Sequence, residues 1–315
     1  MRADRGLREA FRIHPEVAAA LADGRPVVAL ESAVVTHGLP RPLNLEVALA
    51  MEAAVRSAGA VPATVAVVDG VVRVGLTDEA LRRLAEAPAA RKCGRRDLPV
   101  ALAGGATGGT TVGATAWIAH AAGIAVFATG GIGGVHRGGV FDVSADLVDL
   151  GRAPITVVCS GAKSLLDLAA TLEVLETHGV TVVGYGTDRF PAFYVADGGL
   201  AAPARADGPG DVARVALARD GLGLPGAVLA AVPVPAAQAL AAGEVEAWVD
   251  AATHEAAAAG VVGPAVTPYV LGRLAALSGG RTLAANRALL VNNAAVAGEI
   301  AAAVAGLAGR STGYD

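Results

Sequence analysis

From Leu98 to His136 the chain contains no Asp, Glu, Lys or Arg, and this neutral stretch closes on Thr129-Gly130-Gly131-Ile132-Gly133-Gly134-Val135-His136. An uncharged run of that length belongs in a bilayer or at the centre of a core. Gly104, Gly105, Gly108, Gly109, Gly123 and Gly130 cut it into short pieces, so it reads as helix and strand buried in a globular fold. Four glycines among residues 130–134 suit neither a helix nor a strand interior. Each costs about 1 kcal/mol relative to alanine in a helix and offers a sheet no side chain to pack. Such a run marks backbone that passes close to a ligand, and the charged residues after it supply the polar chemistry of a site.

Composition supplies the rest of the frame. With 54% hydrophobic, 17% charged and 3% aromatic residues among 315, the chain has ample material for one large core. We expect a single domain over 1–315, with residues 1–13 a flexible or helical extension. A net charge of −4 and a pI near 5.9 leave no basic footprint for nucleic acid. Met1-Arg2-Ala3-Asp4-Arg5 runs into Glu9 and Arg12 without the apolar block of a secretory signal. Cys93 and Cys159 form neither a disulfide framework nor a zinc-site spacing, so the reading is cytoplasmic, with Cys159 in the core. The mean hydropathy of +0.52 reflects alanine and valine rather than a membrane span.

Short β-branched runs alternate with alanine-rich periodic segments, the pattern of an α/β layered fold. Strands are expected over 27–31, 64–68, 71–74, 100–103, 125–128, 155–159, 180–183 and 227–232, and helices over 44–58, 78–85, 111–122 and 164–178. Val68-Asp69-Gly70-Val71 signals a tight hairpin, so one antiparallel pair interrupts a mostly parallel sheet. From Pro235 onwards the pattern is helical, over 236–259, 267–277 and 282–307, as a cap on the same domain. Residues 198–210 read as an exposed connection. The expected architecture is three-layer α/β/α, with a central mostly parallel mixed sheet and a helical C-terminal part.

The polar residues fall where strands end, which is where open α/β sheets bind ligands. Glu31 follows a buried strand, where a carboxyl can be raised towards neutrality as a proton donor, or simply caps or pairs. Lys163, in Gly161-Ala162-Lys163-Ser164, is either an amine nucleophile or an anion contact. Asp142, Ser144 and Asp146 offer hard oxygen ligands for a cation, hydrogen bonds for a polyol, or a helix start. Gly108-Gly109-Thr110-Thr111 opens a helix as a phosphate cradle without being a P-loop. Lys92, Arg95 and Arg96 add positive charge there or form a surface patch, and His136-Arg137 can meet an anion.

These segments together resemble the pseudouridine-5′-phosphate glycosidase family, also described as indigoidine-synthase-A-like, from about residue 27 to 300. The resemblance is carried by Glu31-Ser32-Ala33-Val34-Val35-Thr36-His37-Gly38-Leu39-Pro40, Gly59-Ala60-Val61-Pro62-Ala63-Thr64 and Val74-Gly75-Leu76. Arg95-Arg96-Asp97-Leu98, Gly108-Gly109-Thr110-Thr111-Val112, residues 129–137, Phe141-Asp142-Val143-Ser144-Ala145-Asp146-Leu147, Gly161-Ala162-Lys163-Ser164 and Gly184-Tyr185-Gly186-Thr187-Asp188 complete it.

The resemblance implies a lyase that reversibly cleaves the C–C glycosidic bond of pseudouridine 5′-phosphate to uracil and ribose 5-phosphate. It implies Lys163 as covalent nucleophile, Glu31 as proton donor, one manganese ion per subunit on Asp142, and Ser144, Ala145 and Asp146 as a substrate-binding turn. Asp146 joins the catalytic set. Lys92, Thr110, Thr111, Val112 and His136 contact substrate, with Lys92 at the phosphate. A C-terminal asparagine takes part, Asn286 ahead of Asn292 and Asn293. A homotrimer is implied as well, with no nucleic-acid or membrane partner. The loop between Arg137 and Phe141 is shorter than the family's, Ala33 replaces a common threonine, and Cys93-Gly94 stands where bulkier residues are frequent. Two other classes use the same residues: a Schiff-base aldolase on another sugar phosphate, and a non-catalytic nucleotide-binding regulator indifferent to Lys163.

Overall fold

Val27–Leu30, Val126–Ala128, Thr156–Cys159 and Val228–Ala231 are each buried along their whole length, the condition of parallel strands covered on both faces. In the computed structural model, which describes residues 11–138 and 142–311, they form the middle of an eleven-stranded sheet. From one edge to the other the order is Phe11–Ile13, Val71–Val74, Val61–Val68, Val27–Leu30, Val126–Ala128, Thr156–Cys159, Val228–Ala231, Thr181–Tyr185 and Arg205–Ala206. Gly108–Thr110 joins through Val61–Val68 and carries Arg91–Cys93 beside it. The sheet is mixed but mostly parallel: Val71–Val74 and Gly108–Thr110 pair antiparallel with Val61–Val68, and the remaining pairs are parallel.

Helices complete the layers. Arg281–Ser311 lies across Val27–Leu30, Val126–Ala128 and Thr156–Cys159, flanked by Leu43–Ser57 and Pro209–Gly221. Val112–Ala122, packed on Ala145–Leu150, covers Val27–Leu30, Val61–Val68 and Val126–Ala128 from the other side. Arg281–Ser311 includes a stretch long and apolar enough to cross a bilayer, yet half of that window is buried inside the fold. Leu289, Leu290, Ala294, Ala297 and Ile300 are among the residues it buries. Ala242–Ala258 and Val266–Leu277 pack on each other, and Val266–Leu277 also touches the Val34–Gly38 turn. The Asp69-Gly70 hairpin forms as expected, with both residues at positive φ.

Several expectations are corrected. Residues 11–13 of the N-terminal extension are an edge strand, parallel to Val71–Val74, and the rest of the extension lies outside the described residues. Residues 100–103 are not a strand but part of the helix Leu98–Ala103. Pro99 starts it and Gly104 ends it, and Leu98 and Ala101 are buried while Val100 is exposed, which is helical spacing. The helix expected from Ser164 begins at Leu168 under an Asp167 cap, because Leu166 and Asp167 are taken up in pairing with Val135–His136. Within the connection expected over 198–210, residues 198–201 belong to the strand Val195–Ala201 and residues 205–206 form another. Their side chains alternate between half-covered and exposed, which hid them among glycine and alanine. The segment expected as helix over 236–259 divides into a short turn at Ala236–Gln238 and the helix Ala242–Ala258.

Candidate active site

Three neighbouring parallel strands end together. Leu30 is in register with Ala128, and Ala128 with Val158, so Glu31 and Thr129 leave the sheet side by side. The chain then continues the pairing without regular strand. Thr129 N donates to Val158 O at 2.9 Å, Ser160 N to Gly130 O at 2.8 Å, Ile132 N to Gly161 O at 3.0 Å and Lys163 N to Ile132 O at 3.2 Å. These bonds set Lys163 beside the glycine run and across from Glu31, at the carboxyl ends of the strands.

The glycines are needed for space. A Cβ on Gly131 would stand 2.6 Å from the Phe193 ring, one on Gly133 would stand 2.6 Å from Ser144 Cβ, and one on Gly134 would collide with Thr171. Gly161, at φ +71°, would overlap the Pro191 carbonyl. Asn293, fully buried, ties the segment to the C-terminal helix: its Nδ2 donates to Thr129 O at 2.9 Å and lies 3.1 Å from Ser160 Oγ.

Around this frame lies a cavity of about 420 Å³. Glu31, Lys92, Lys163, Asn286, Asp146, Ser144, Ala145, Thr111, Val112 and His136 all line it. Burial pushes the Glu31 carboxyl above the usual range; the charge of Lys163, the Thr129 hydroxyl that donates to Oε1 and the charge of Lys92 pull it back, while Asp146 adds to the rise. Burial and then the neighbouring Lys163 charge hold the Lys92 ammonium below its ordinary value. The site thus combines a carboxyl whose burial favours its protonated form with two amines close enough to repel one another.

Asp146 is a clamp. Its Oδ1 accepts from Gly113 N at 2.8 Å, at the start of Val112–Ala122, and its Oδ2 accepts from Gly133 N at 3.0 Å. Ser144 caps Ala145–Leu150 by accepting from Asp146 N at 3.3 Å, and Thr111 caps Val112–Ala122. The helix N-terminus, Lys92 and Arg96 make one end of the cavity suited to an anion. Arg95, which also reaches this end, is held by Asp149 at 3.0 Å and lies over the Trp117 ring.

Other candidates stand elsewhere. Thr110 is not on the cavity wall: its hydroxyl donates to Val65 O at 2.8 Å and meets Thr115, and its amide donates to Ser32 Oγ, inside the core. Of the expected cradle Gly108-Gly109-Thr110-Thr111, residues 108–110 are therefore a strand, and the cavity meets only Thr111 of it, together with Val112 beyond it. Asp142 is exposed at the rim, next to Val143 and Ser144 of the wall. Phe141 and much of the short loop before it lie outside the described residues. Of the three asparagines, Asn286 alone lines the cavity; it is buried, and its Oδ1 has no hydrogen-bond partner. Cys93 and Cys159 are free and buried, and burial pushes the Cys159 thiol up to about 12.

His37, Thr267 and Leu271 were not legible as site residues. His37 lines the cavity with Nδ1 2.6 Å from Thr36 Oγ1, and burial, then the Lys92 charge, lowers its pKa. Its place six residues after Glu31 was the available signal. Thr267 and Leu271 reach the wall from a helix that has no sequence link to the strands.

The profile described as indigoidine synthase A like protein matches residues 16–303. A pseudouridine-5′-phosphate glycosidase of Rhodospirillum centenum is 58% identical over 308 residues, covering 97% of this chain and 96% of its own. One of Methylobacterium nodulans is 54% identical over 301 residues, covering 95% and 89%. Among solved structures, the prealnumycin C-glycosynthase AlnA in complex with ribulose 5-phosphate superposes with a TM-score of 0.88 at 43% identity, over 95% of this chain and 98% of its own. An indigoidine synthase A-like protein of Thermotoga maritima superposes with a TM-score of 0.84 at 35% identity, over 90% and 94%. With a shared profile over most of its length, the same fold and relatives more than half identical, this chain belongs to the indigoidine synthase A-like family.

Proposed function

We propose that this protein catalyses the reversible cleavage of pseudouridine 5′-phosphate, with water, to uracil and ribose 5-phosphate. The observation that carries the reading is the meeting of Lys163, Glu31, Lys92 and Asn286 on one cavity, in a chain whose relatives at 54% and 58% identity are named for this substrate. A cavity of about 420 Å³ suits a ligand of nucleotide size. The neighbour named a C-glycosynthase was solved with ribulose 5-phosphate, so a related fold accepts a pentose phosphate.

A carbon-linked base cannot leave on a protonated nitrogen or oxygen, so the ribose must first be opened. The C1′–O4′ bond breaks, O4′ takes a proton, and the Lys163 free amine bonds to C1′ and gives up a proton. The C1′–C5 bond then breaks, its electron pair passing to the uracil ring, which is protonated at C5, while the lysine nitrogen forms an iminium with C1′. Water adds to the iminium, releasing the ribose 5-phosphate aldehyde and restoring the amine. Glu31, buried and inclined to hold its proton, is the donor at O4′ or at C5. Lys92 and the N-terminus of Val112–Ala122 receive the phosphate, and Asn286, with its open Oδ1, takes a substrate N–H or O–H.

The manganese ion on Asp142 belongs to the same proposal. Asp142 is one exposed carboxylate, and among the described residues no group of three or more His, Cys, Asp or Glu encloses an ion. Asp142 would hold such a hard divalent cation through a single carboxylate, with water for its remaining ligands, and the cation would supply positive charge for an anionic substrate. A homotrimer in the cytoplasm completes the reading, and a monomer in sedimentation equilibrium would remove the first part.

Incubation with pseudouridine 5′-phosphate and manganese, followed by borohydride trapping and peptide mass analysis, tests the chemistry. Uracil release with a ribose-phosphate adduct on Lys163, both lost in Lys163→Ala, is expected. Uracil release undiminished in Lys163→Ala overturns the covalent route, and no uracil from wild type overturns the activity and turns attention to the aldolase or regulatory classes.

A further inference from the structure

An acid in this cavity must present its proton to the substrate, and a carboxyl has two oxygens on which the proton can sit. Thr129 is fully buried at the end of Val126–Ala128 and has no place on the cavity wall. Its hydroxyl donates to Glu31 Oε1. A threonine hydroxyl has one proton to give. Spent on Oε1, that proton leaves Oε2 as the oxygen free to carry a proton to the cavity that Glu31 lines.

Thr129 is itself fixed from two sides. Its amide donates to Val158 O at 2.9 Å, and its carbonyl accepts from Asn293 Nδ2 at 2.9 Å. Asn293 and Ser160, both fully buried, hold each other through contacts of 3.1 and 3.3 Å. The C-terminal helix, the Thr156–Cys159 strand and the Val126–Ala128 strand therefore converge on the backbone of the residue whose hydroxyl meets the acid.

We propose that Thr129, anchored by Asn293 and Ser160, is a positioning residue that selects which oxygen of Glu31 is protonated and keeps that acid turned to the cavity. The inference rests on the reading of Glu31 as proton donor. The charged groups that act on Glu31 are Lys163, Lys92 and Asp146, and the Thr129 substitutions leave these three side chains unaltered. The Thr129 hydroxyl lowers the Glu31 pKa, so its removal moves the Glu31 titration to higher pH.

Thr129→Val keeps the shape and deletes the donor, and Thr129→Ser restores it. The wild type is first assayed for uracil; no uracil overturns the glycosidase reading and with it the assignment of Glu31 as acid. The second measurement needs no turnover: the Glu31 titration followed by isotope-edited infrared spectroscopy in the apo protein. The expected result is a kcat lowered roughly 10- to 100-fold in Thr129→Val with KM little changed, since general acid catalysis as a whole contributes about 10²–10⁴. The basic limb of the kcat profile and the infrared titration both move to higher pH, and Thr129→Ser returns both. In a Glu31→Gln background the valine substitution adds less than about twofold, because the two residues act as a unit. A Thr129→Val protein with the wild-type profile and titration overturns the proposal, as does a full valine effect in the Glu31→Gln background. Should the valine variant fail to fold, Thr129→Ala is held to the same two measurements.

Discussion

Asp146→Asn separates the carboxylate's charge from its shape. The two carboxylate oxygens accept from Gly113 N at 2.8 Å and Gly133 N at 3.0 Å. Asparagine fills the same volume with one acceptor and one donor, so one of these amides must face an NH₂ group. A hydrogen bond to a charged group contributes about 1.5–3 kcal/mol, and a buried amide left unpaired costs about 1–3 kcal/mol. Since the two figures partly describe the same loss, the local opening free energy falls by about 2–4 kcal/mol. At about 1.4 kcal/mol per tenfold, the affected amide exchanges roughly 30- to 700-fold faster. Hydrogen exchange resolved at Gly113 and Gly133 in the apo protein measures this directly. Uracil release should fall with it, because Gly133, Asp146 and Val112 form one wall of the cavity. Exchange within threefold of wild type at both amides would refute the argument that this carboxylate joins the helix start to the glycine run.

The acid carries a stability cost with a definite sign. Burial raises Glu31 above its ordinary 4.5, so the folded chain holds this proton more tightly than the unfolded one, and stability falls as pH rises from about 4.5 through the raised value. Glu31→Gln should match wild type below about pH 4.5 and exceed it above, while losing most uracil release; a less stable variant at pH 8 in urea unfolding would contradict this. The asparagines should divide. Asn286→Ala leaves stability within about 0.5 kcal/mol, since its Oδ1 has no protein partner, and raises KM roughly tenfold. Asn293→Ala, which breaks the bonds to Thr129 O and Ser160 Oγ, lowers stability by about 2–4 kcal/mol in the same unfolding assay.

Much of the site was legible because its chemistry is tied to strand ends. Glu31, Lys163 and the residues after Thr129 each follow a short apolar run rich in β-branched residues, which reads as a central strand with its next residues at the sheet's edge; the same reading failed at 100–103, where Pro99 starts a helix. Asp167 as a cap and the strand at 195–201 were not legible. Their partners, Val135–His136 and Arg189–Ala192, lie across the tertiary fold or in segments with weak pattern of their own. Thr110 shows the reverse error: a glycine-threonine run looks like a phosphate cradle, and only the register with Ala66 and Val67 turns it into core.

By itself the sequence determined the layered α/β class, the central buried strands, the Asp-Gly hairpin and the neighbourhood of the acid and the amine, because periodicity and burial are local properties of a chain. It also marked the glycine run as a place where ordinary side chains do not fit. Only the tertiary structure decided what they would collide with. Phe193, Ser144 and Thr171 come from three different segments. Only the structure could choose among the asparagines. Asn286 and Asn293 share one helix, and one meets the cavity while the other is spent on the strand ends. That choice depends on how the helix is rotated against the sheet, which no local pattern encodes.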